Sequence, residues 1–123
     1  MLIDHPTARD LAARWIAAWN SGELAEVFAL YADDFEMRSS LIVERGFSTD
    51  GVLRGKEAMR PYWGAGIANA KPPLHFELLD AYGGVNTVAI HYRSRGRKHV
   101  VEVLELDEQG RVVRGSACHG AAA

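Results

Sequence analysis

The last third of the chain constrains the fold most. From Leu74 onward, apolar and polar residues alternate in four runs, about 74–82, 85–95, 98–107 and 111–119. The runs are broken by Gly83-Gly84, Gly96 and Glu108-Gln109-Gly110. Glycine at such breaks permits the tight turns that join neighbouring antiparallel strands. Four short consecutive strands of this kind make a meander, and its apolar face has to be covered by another layer.

The cover lies upstream. Leu11, Ala12, Trp15, Ile16 and Trp19 recur at helical spacing. Asp4 or Thr7 can cap this helix, with Asp10 three residues after Thr7. Asn20-Ser21-Gly22 ends it, and Ser21 can cap a second helix that puts Leu24, Val27, Phe28 and Tyr31 on one stripe. After Ala32-Asp33-Asp34 the period changes to two: Phe35, Met37 and Ser39 alternate with Glu36, Arg38 and Ser40. Leu41 to Gly55 has no clear period and reads as an irregular flap over the opening of the domain. A third helix, with Met59, Tyr62 and Trp63, is expected between about Lys56 and Asn69. Pro61 lacks an N–H, so that helix should start near Arg60 or kink there. Pro72-Pro73 closes it.

A chain of 123 residues suits one domain, taken as 1–123, with a single core. The net charge of −2 leaves no electrostatic footprint for nucleic acid or an anionic membrane. Arg93, Arg95, Arg97 and Lys98 are the one basic cluster, and around Gly96 they read as a solvated hairpin turn. Cys118 is the single cysteine, which precludes an intrachain disulfide and suits a reducing cytoplasm. Met1 to Asp10 lacks the pattern of a signal peptide, and no window approaches the ~20 apolar residues of a membrane span. The tail Ala121–Ala123 is too short to carry a function.

Candidate chemistry follows from the faces. Glu102 alternates with Val100, Leu104 and Leu106, which puts a carboxylate on an apolar face. Such a group has to be partnered, protonated or open to a cavity, and as a general acid/base it would have a raised pKa; the plainer reading is a register that leaves it outside. His119 shares a face with Gly115 and Ala117, small neighbours that leave space; the plainer reading puts it in solvent near the chain end. Asp33 and Asp34 read as a turn or as paired carboxylates, with Asp34 nearer the pocket. Trp15, Trp19, Tyr31, Tyr62, Trp63 and Tyr92 exceed what a dry core of this size accommodates, because each Trp or Tyr polar atom needs a partner. Leu74, Phe76, Leu78, Ile90 and Tyr92 face inward, which turns His75, Glu77, His91 and Arg93 outward. A zinc site from His75, Glu77 and His91 lacks a compact ligand motif, so no metal is expected.

The order helix–helix–strand, flap, helix, meander resembles the cone-shaped α+β fold of the nuclear transport factor 2-like (cystatin-like) superfamily. The local wording is similar too: Trp19-Asn20-Ser21-Gly22-Glu23-Leu24, Leu30-Tyr31-Ala32-Asp33-Asp34-Phe35, Gly55-Lys56-Glu57-Ala58, and the hairpin from Glu102 to Val112. The resemblance covers about residues 5–120. It implies N-terminal helices packed on a curved, mostly antiparallel sheet that encloses a pocket. The superfamily includes ketosteroid isomerases, SnoaL-like polyketide cyclases, dehydratases, epoxide hydrolases and non-catalytic binding modules, so fold alone does not choose among them.

Ketosteroid isomerase gives the residue-level comparison. Its tyrosine acid falls on Trp15, its aspartate base on Ser39, and its protonated second acid on Glu102, with Glu105 as an alternative match. Its paired aromatics fall on Tyr62 and Trp63, and an aromatic on its last strand falls on His119. Trp15 donates only one N–H and Ser39 is no base near neutrality, so the usual isomerase mechanism is not expected.

The resulting expectation is a cofactor-independent enzyme for a flat, mostly apolar small molecule, acting as an isomerase, cyclase, dehydratase or hydrolase. Glu102 and His119 would move protons, Tyr31 or Tyr62 would hold a carbonyl or enolate oxygen, and Asp34 would assist. Trp15, Trp19, Met59, Tyr62 and Trp63 would contact the substrate, as would Ser39, Ile90, Tyr92 and Ala117. The alternatives are a non-catalytic ligand-binding or dimerisation module, and a structural domain with a filled cone. A homodimer through the outer sheet face, with Ala89, Val101, Val103 and Val113 on it, completes the expectation.

Overall fold

A computed structural model describes residues 1–96 and 98–122; Arg97 of the basic turn and Ala123 of the tail lie outside the described residues. The first helix, α1 (His5–Asn20), is capped by Asp4, whose carboxylate accepts from the Thr7 amide at 2.9 Å. Its inner stripe buries Leu11, Ala12, Trp15, Ile16 and Trp19, and α1 packs chiefly on strand β3 (Glu77–Gly83). The second helix, α2 (Leu24–Phe28), is a single short piece. Ser21 does not cap it directly: its hydroxyl donates to the Ala18 carbonyl and accepts from the Glu23 amide.

Tyr31 is not on that helix. It opens strand β1 (Tyr31–Ser39) and pairs with Val112. The Val112 amide donates to the Leu30 carbonyl at 2.9 Å, so pairing with the sheet overrides the helical stripe here. The expected flap is partly regular. It contains helix α3 (Ser40–Glu44) and strand β2 (Val52–Arg54), which runs antiparallel to β1. Gly51 makes this return possible: its φ is +77° and an added Cβ would lie 3.2 Å from the Ser39 carbonyl oxygen. Helix α4 (Lys56–Ala68) starts at Lys56, not at Arg60, and carries Pro61 inside it. The carbonyl of exposed Glu57, four residues earlier, receives no bond from Pro61.

Strands β4 (Thr87–Arg93), β5 (Lys98–Leu106) and β6 (Val112–Ala122) follow β3 as an antiparallel meander. The six-stranded order is β2-β1-β6-β5-β4-β3, and β1 against β6 is the parallel pair. One inner row reads Ala81, Ile90, Glu102, Ala117 and Ser39 across five strands. The next inner row contains Leu78, Tyr92, Val100 and His119. Among the described residues no helix is long and apolar enough to cross a membrane.

Candidate functional site

Between the helices and the inner sheet face lies a cavity of about 890 Å³, within the size range of small-molecule sites. One wall comes from α1, which presents Trp15 and Trp19; another comes from α4, which presents Tyr62 and Trp63. Phe76, just before β3, and Tyr92 on β4 complete the aromatic lining. Ring centroids are 4.4 Å apart for Phe76 and Tyr92, 5.2 Å for Trp15 and Tyr92, and 5.1 Å for Trp19 and Trp63. Phe76 is pinned from behind. The Asn20 amide nitrogen donates to its carbonyl at 2.9 Å, and its backbone N–H donates to the Asn20 side-chain oxygen at 2.7 Å.

Glu102 stands on the inner face of β5 and is only 5 % exposed. The Tyr92 hydroxyl donates to its Oε1 at 3.1 Å, while its Oε2 has no partner among the described residues. Burial raises its pKa from the usual 4.5 to about 7, against the opposing effect of the Tyr92 hydrogen bond. Burial also raises the Tyr92 phenol well above its ordinary value, and the Glu102 charge adds to this. Trp19 Nε1 is a second buried polar atom without a partner among the described residues.

His119 lines the cavity from β6 while remaining exposed to solvent. Its Nε2 lies 3.4 Å from the Ser39 hydroxyl. Burial of part of the ring lowers its pKa, Glu44 opposes this, and Lys98 and Arg45 push it lower. Glu102 pairs with Ala117, so His119 is its diagonal neighbour on the same face, a spacing of about 7–8 Å. Burial raises the Tyr62 phenol; Ser39 and the Arg45 charge counter that shift.

Several expected site residues stand elsewhere. Asp34 is exposed on β1 and outside the lining, because extra residues of β1 bulge between the Tyr31–Val112 and Glu36–Arg114 pairs and turn both aspartates outward. Asp33 instead pairs with Lys56 at 3.1 Å. Tyr31 is buried but does not line the cavity: its hydroxyl accepts from Trp15 Nε1 at 3.0 Å, and burial raises its pKa. Met59 and Ile90 are fully buried behind the lining. Glu105, the alternative to Glu102, faces outward and forms an ion pair with Arg114. Ser39, Ala117, Trp15, Trp19, Tyr62, Trp63, Tyr92, Glu102 and His119 do share the cavity.

Phe76, Arg45 and His75 also line the cavity. Phe76 lies in an inward-facing run, and that alternation is its only signal in the sequence. Arg45 has no such signal, because it lies in the segment without a period. His75 stands at the cavity edge rather than purely on the outer face. His91 Nε2 lies 3.0 Å from His99 Nδ1.

The comparisons agree with this fold. The family model described as SnoaL-like domain matches residues 12–119. A SnoaL-like protein of unknown function from Burkholderia thailandensis is 36% identical over 98% of this chain and 100% of its own, with a TM-score of 0.92. An NTF-2 like protein of unknown function from Burkholderia xenovorans is 17% identical over 94% of this chain and 84% of its own, with a TM-score of 0.73. The epoxide hydrolase/cyclase-like enzyme SalBIII, of pyran ring formation in polyether salinomycin, is 16% identical over 94% of this chain and 92% of its own, with a TM-score of 0.71. Among curated proteins no sequence matches.

Proposed function

The chain belongs to the SnoaL-like domain family, with the nuclear transport factor 2-like α+β cone as its fold, and from that premise we propose that it is a small-molecule acid/base enzyme. Its substrate is a flat, mostly apolar molecule held among Trp15, Trp19, Tyr62, Trp63, Phe76 and Tyr92. The reaction is an isomerisation, cyclisation, dehydration or hydrolysis driven by proton transfer, and it uses the protein's own side chains without a cofactor.

One observation carries the reading. Glu102 has one oxygen held by Tyr92 and the other without a partner among the described residues, in a cavity lined by aromatic rings. A structural carboxylate buried this deeply would be expected to satisfy both oxygens. With a pKa of about 7, Glu102 takes or gives a proton near neutrality at similar cost, as a general acid/base requires. It removes a proton from carbon next to a carbonyl, or protonates a leaving or ring oxygen. The Tyr62 phenol, kept protonated by burial, donates to the oxygen on which negative charge grows. His119 is neutral near pH 7, and at the solvent-facing edge it passes protons between the site and water.

The test uses a simple bicyclic ketone, 2-tetralone, in D2O, with exchange of its α-protons followed by NMR. The protein is expected to accelerate exchange above buffer, and Glu102→Gln is expected to lose this by at least about 100-fold. Binding of the ketone without any acceleration would leave a ligand-binding module and end the enzyme reading.

A further inference from the structure

The cavity ends in cations that the fold leaves unneutralised. Most described basic side chains are paired: Arg9 with Asp80, Arg38 and Arg54 with Glu36, Lys56 with Asp33, and Arg114 with Glu36 and Glu105. Arg45, Lys71 and Arg95 have no carboxylate within ion-pair distance among the described residues, yet all three line the cavity. Lys98 lines it as well.

These cations come from separate parts of the chain. Arg45 follows α3, Lys71 follows α4, and Arg95 lies in the turn between β4 and β5. Two of them are held in place. The Arg45 guanidinium lies 5.8 Å from the Tyr62 ring centroid, and Arg95 Nε donates to the Pro73 carbonyl at 2.8 Å. Glu44 is the acid that faces them, and Glu102 lies deeper. The charges at the opening reach the site: burial lowers the His119 pKa first, Glu44 raises it, and Lys98 and Arg45 both act to lower it. The chain as a whole carries −2, so a cationic surplus here is not a reflection of composition.

We propose that the ligand carries an anionic oxygen group, a carboxylate in the first instance, which Arg45, Lys71 and Arg95 hold at the cavity edge while the aromatic lining takes its flat apolar body. This rests on the reading that the cavity binds a flat apolar molecule. Guanidinium groups suit a carboxylate because their planar N–H donors match its two oxygens.

The test compares anthraquinone-2-carboxylate with its neutral counterpart 2-(hydroxymethyl)anthraquinone, by quenching of the tryptophan fluorescence. The carboxylate is expected to bind about ten-fold more tightly, a difference of about 1.4 kcal/mol. Raising salt from about 50 mM to about 500 mM should shrink that preference, because screening acts on the charged partner alone. Arg45→Gln combined with Arg95→Gln, and separately Lys71→Gln, should weaken the carboxylate and leave the neutral compound unchanged; the neutral compound thus reports that the variants fold. Equal affinities, or a preference that survives both salt and substitution, would overturn the inference while the apolar site stands. Failure of both compounds to bind would overturn the pocket reading together with it.

Discussion

The Tyr92 hydroxyl reaches Oε1 of Glu102 at 3.1 Å from the neighbouring strand, and it is the one hydrogen bond the described residues give this buried carboxylate. The pairing follows from register: Tyr92 opposes Val100 and Ile90 opposes Glu102, so Tyr92 and Glu102 are diagonal neighbours on the inner face. A diagonal separation suits a long ring with a terminal hydroxyl.

Glu102 makes stability depend on pH in an unusual direction. Its folded pKa of about 7 lies above the ordinary 4.5, so between these values the folded state binds the proton and the unfolded state does not. Its contribution is fully present below about pH 4.5 and is lost as pH rises through about 7, a change of the order of 3 kcal/mol. Urea unfolding should show the wild type losing stability across this window and Glu102→Gln changing little through the same group. A wild-type stability that is flat or rising over the window would contradict the burial argument.

Tyr92→Phe removes the donor that favours charged Glu102. The carboxyl midpoint, read by NMR of the labelled side chain, should rise by about one unit, since a hydrogen bond to a charged group is worth about 1.5–3 kcal/mol. An unchanged or lower midpoint would mean that the bond does not govern the titration.

Asn20→Ala removes both hydrogen bonds that pin Phe76 to the end of α1. We expect a loss of about 2 kcal/mol in urea unfolding. Weaker quenching by an aromatic ligand should accompany it, because Phe76 packs directly on Trp15 and Tyr92. Unfolding unchanged from wild type would show that the segment entering β3 is held by other contacts.

The proposed homodimer uses the outer sheet face, where half-buried Ala89, Val101 and Val103 adjoin Tyr82, which is 53% exposed. Covering that surface would remove apolar area from water at roughly 25 cal/mol per Å². Sedimentation at micromolar concentration should show a dimer, and Val103→Lys a monomer with the fold intact. A wild-type monomer would end this arrangement.

Much of the architecture is legible in local pattern. The two-residue period of Val100, Glu102, Leu104 and Leu106 already places a carboxylate among apolar neighbours, and one residue of slip would reverse the face. The helical stripes likewise bring Trp15, Trp19, Tyr62 and Trp63 inward, because helical spacing is a property of the segment itself. These signals are short-range, and the structure agrees with them.

What the tertiary structure decided are the places where distant segments compete for the same backbone or converge without a period. Tyr31 continues a helical stripe in sequence, but the parallel partner Val112 draws it into the sheet and Trp15 occupies its hydroxyl. The same bulged entry to the sheet turns Asp34 away from the cavity. The gathering of Arg45, Lys71 and Arg95 depends on three connections closing around one opening. No local spacing encodes that convergence, because it arises only when the helices are laid across the sheet.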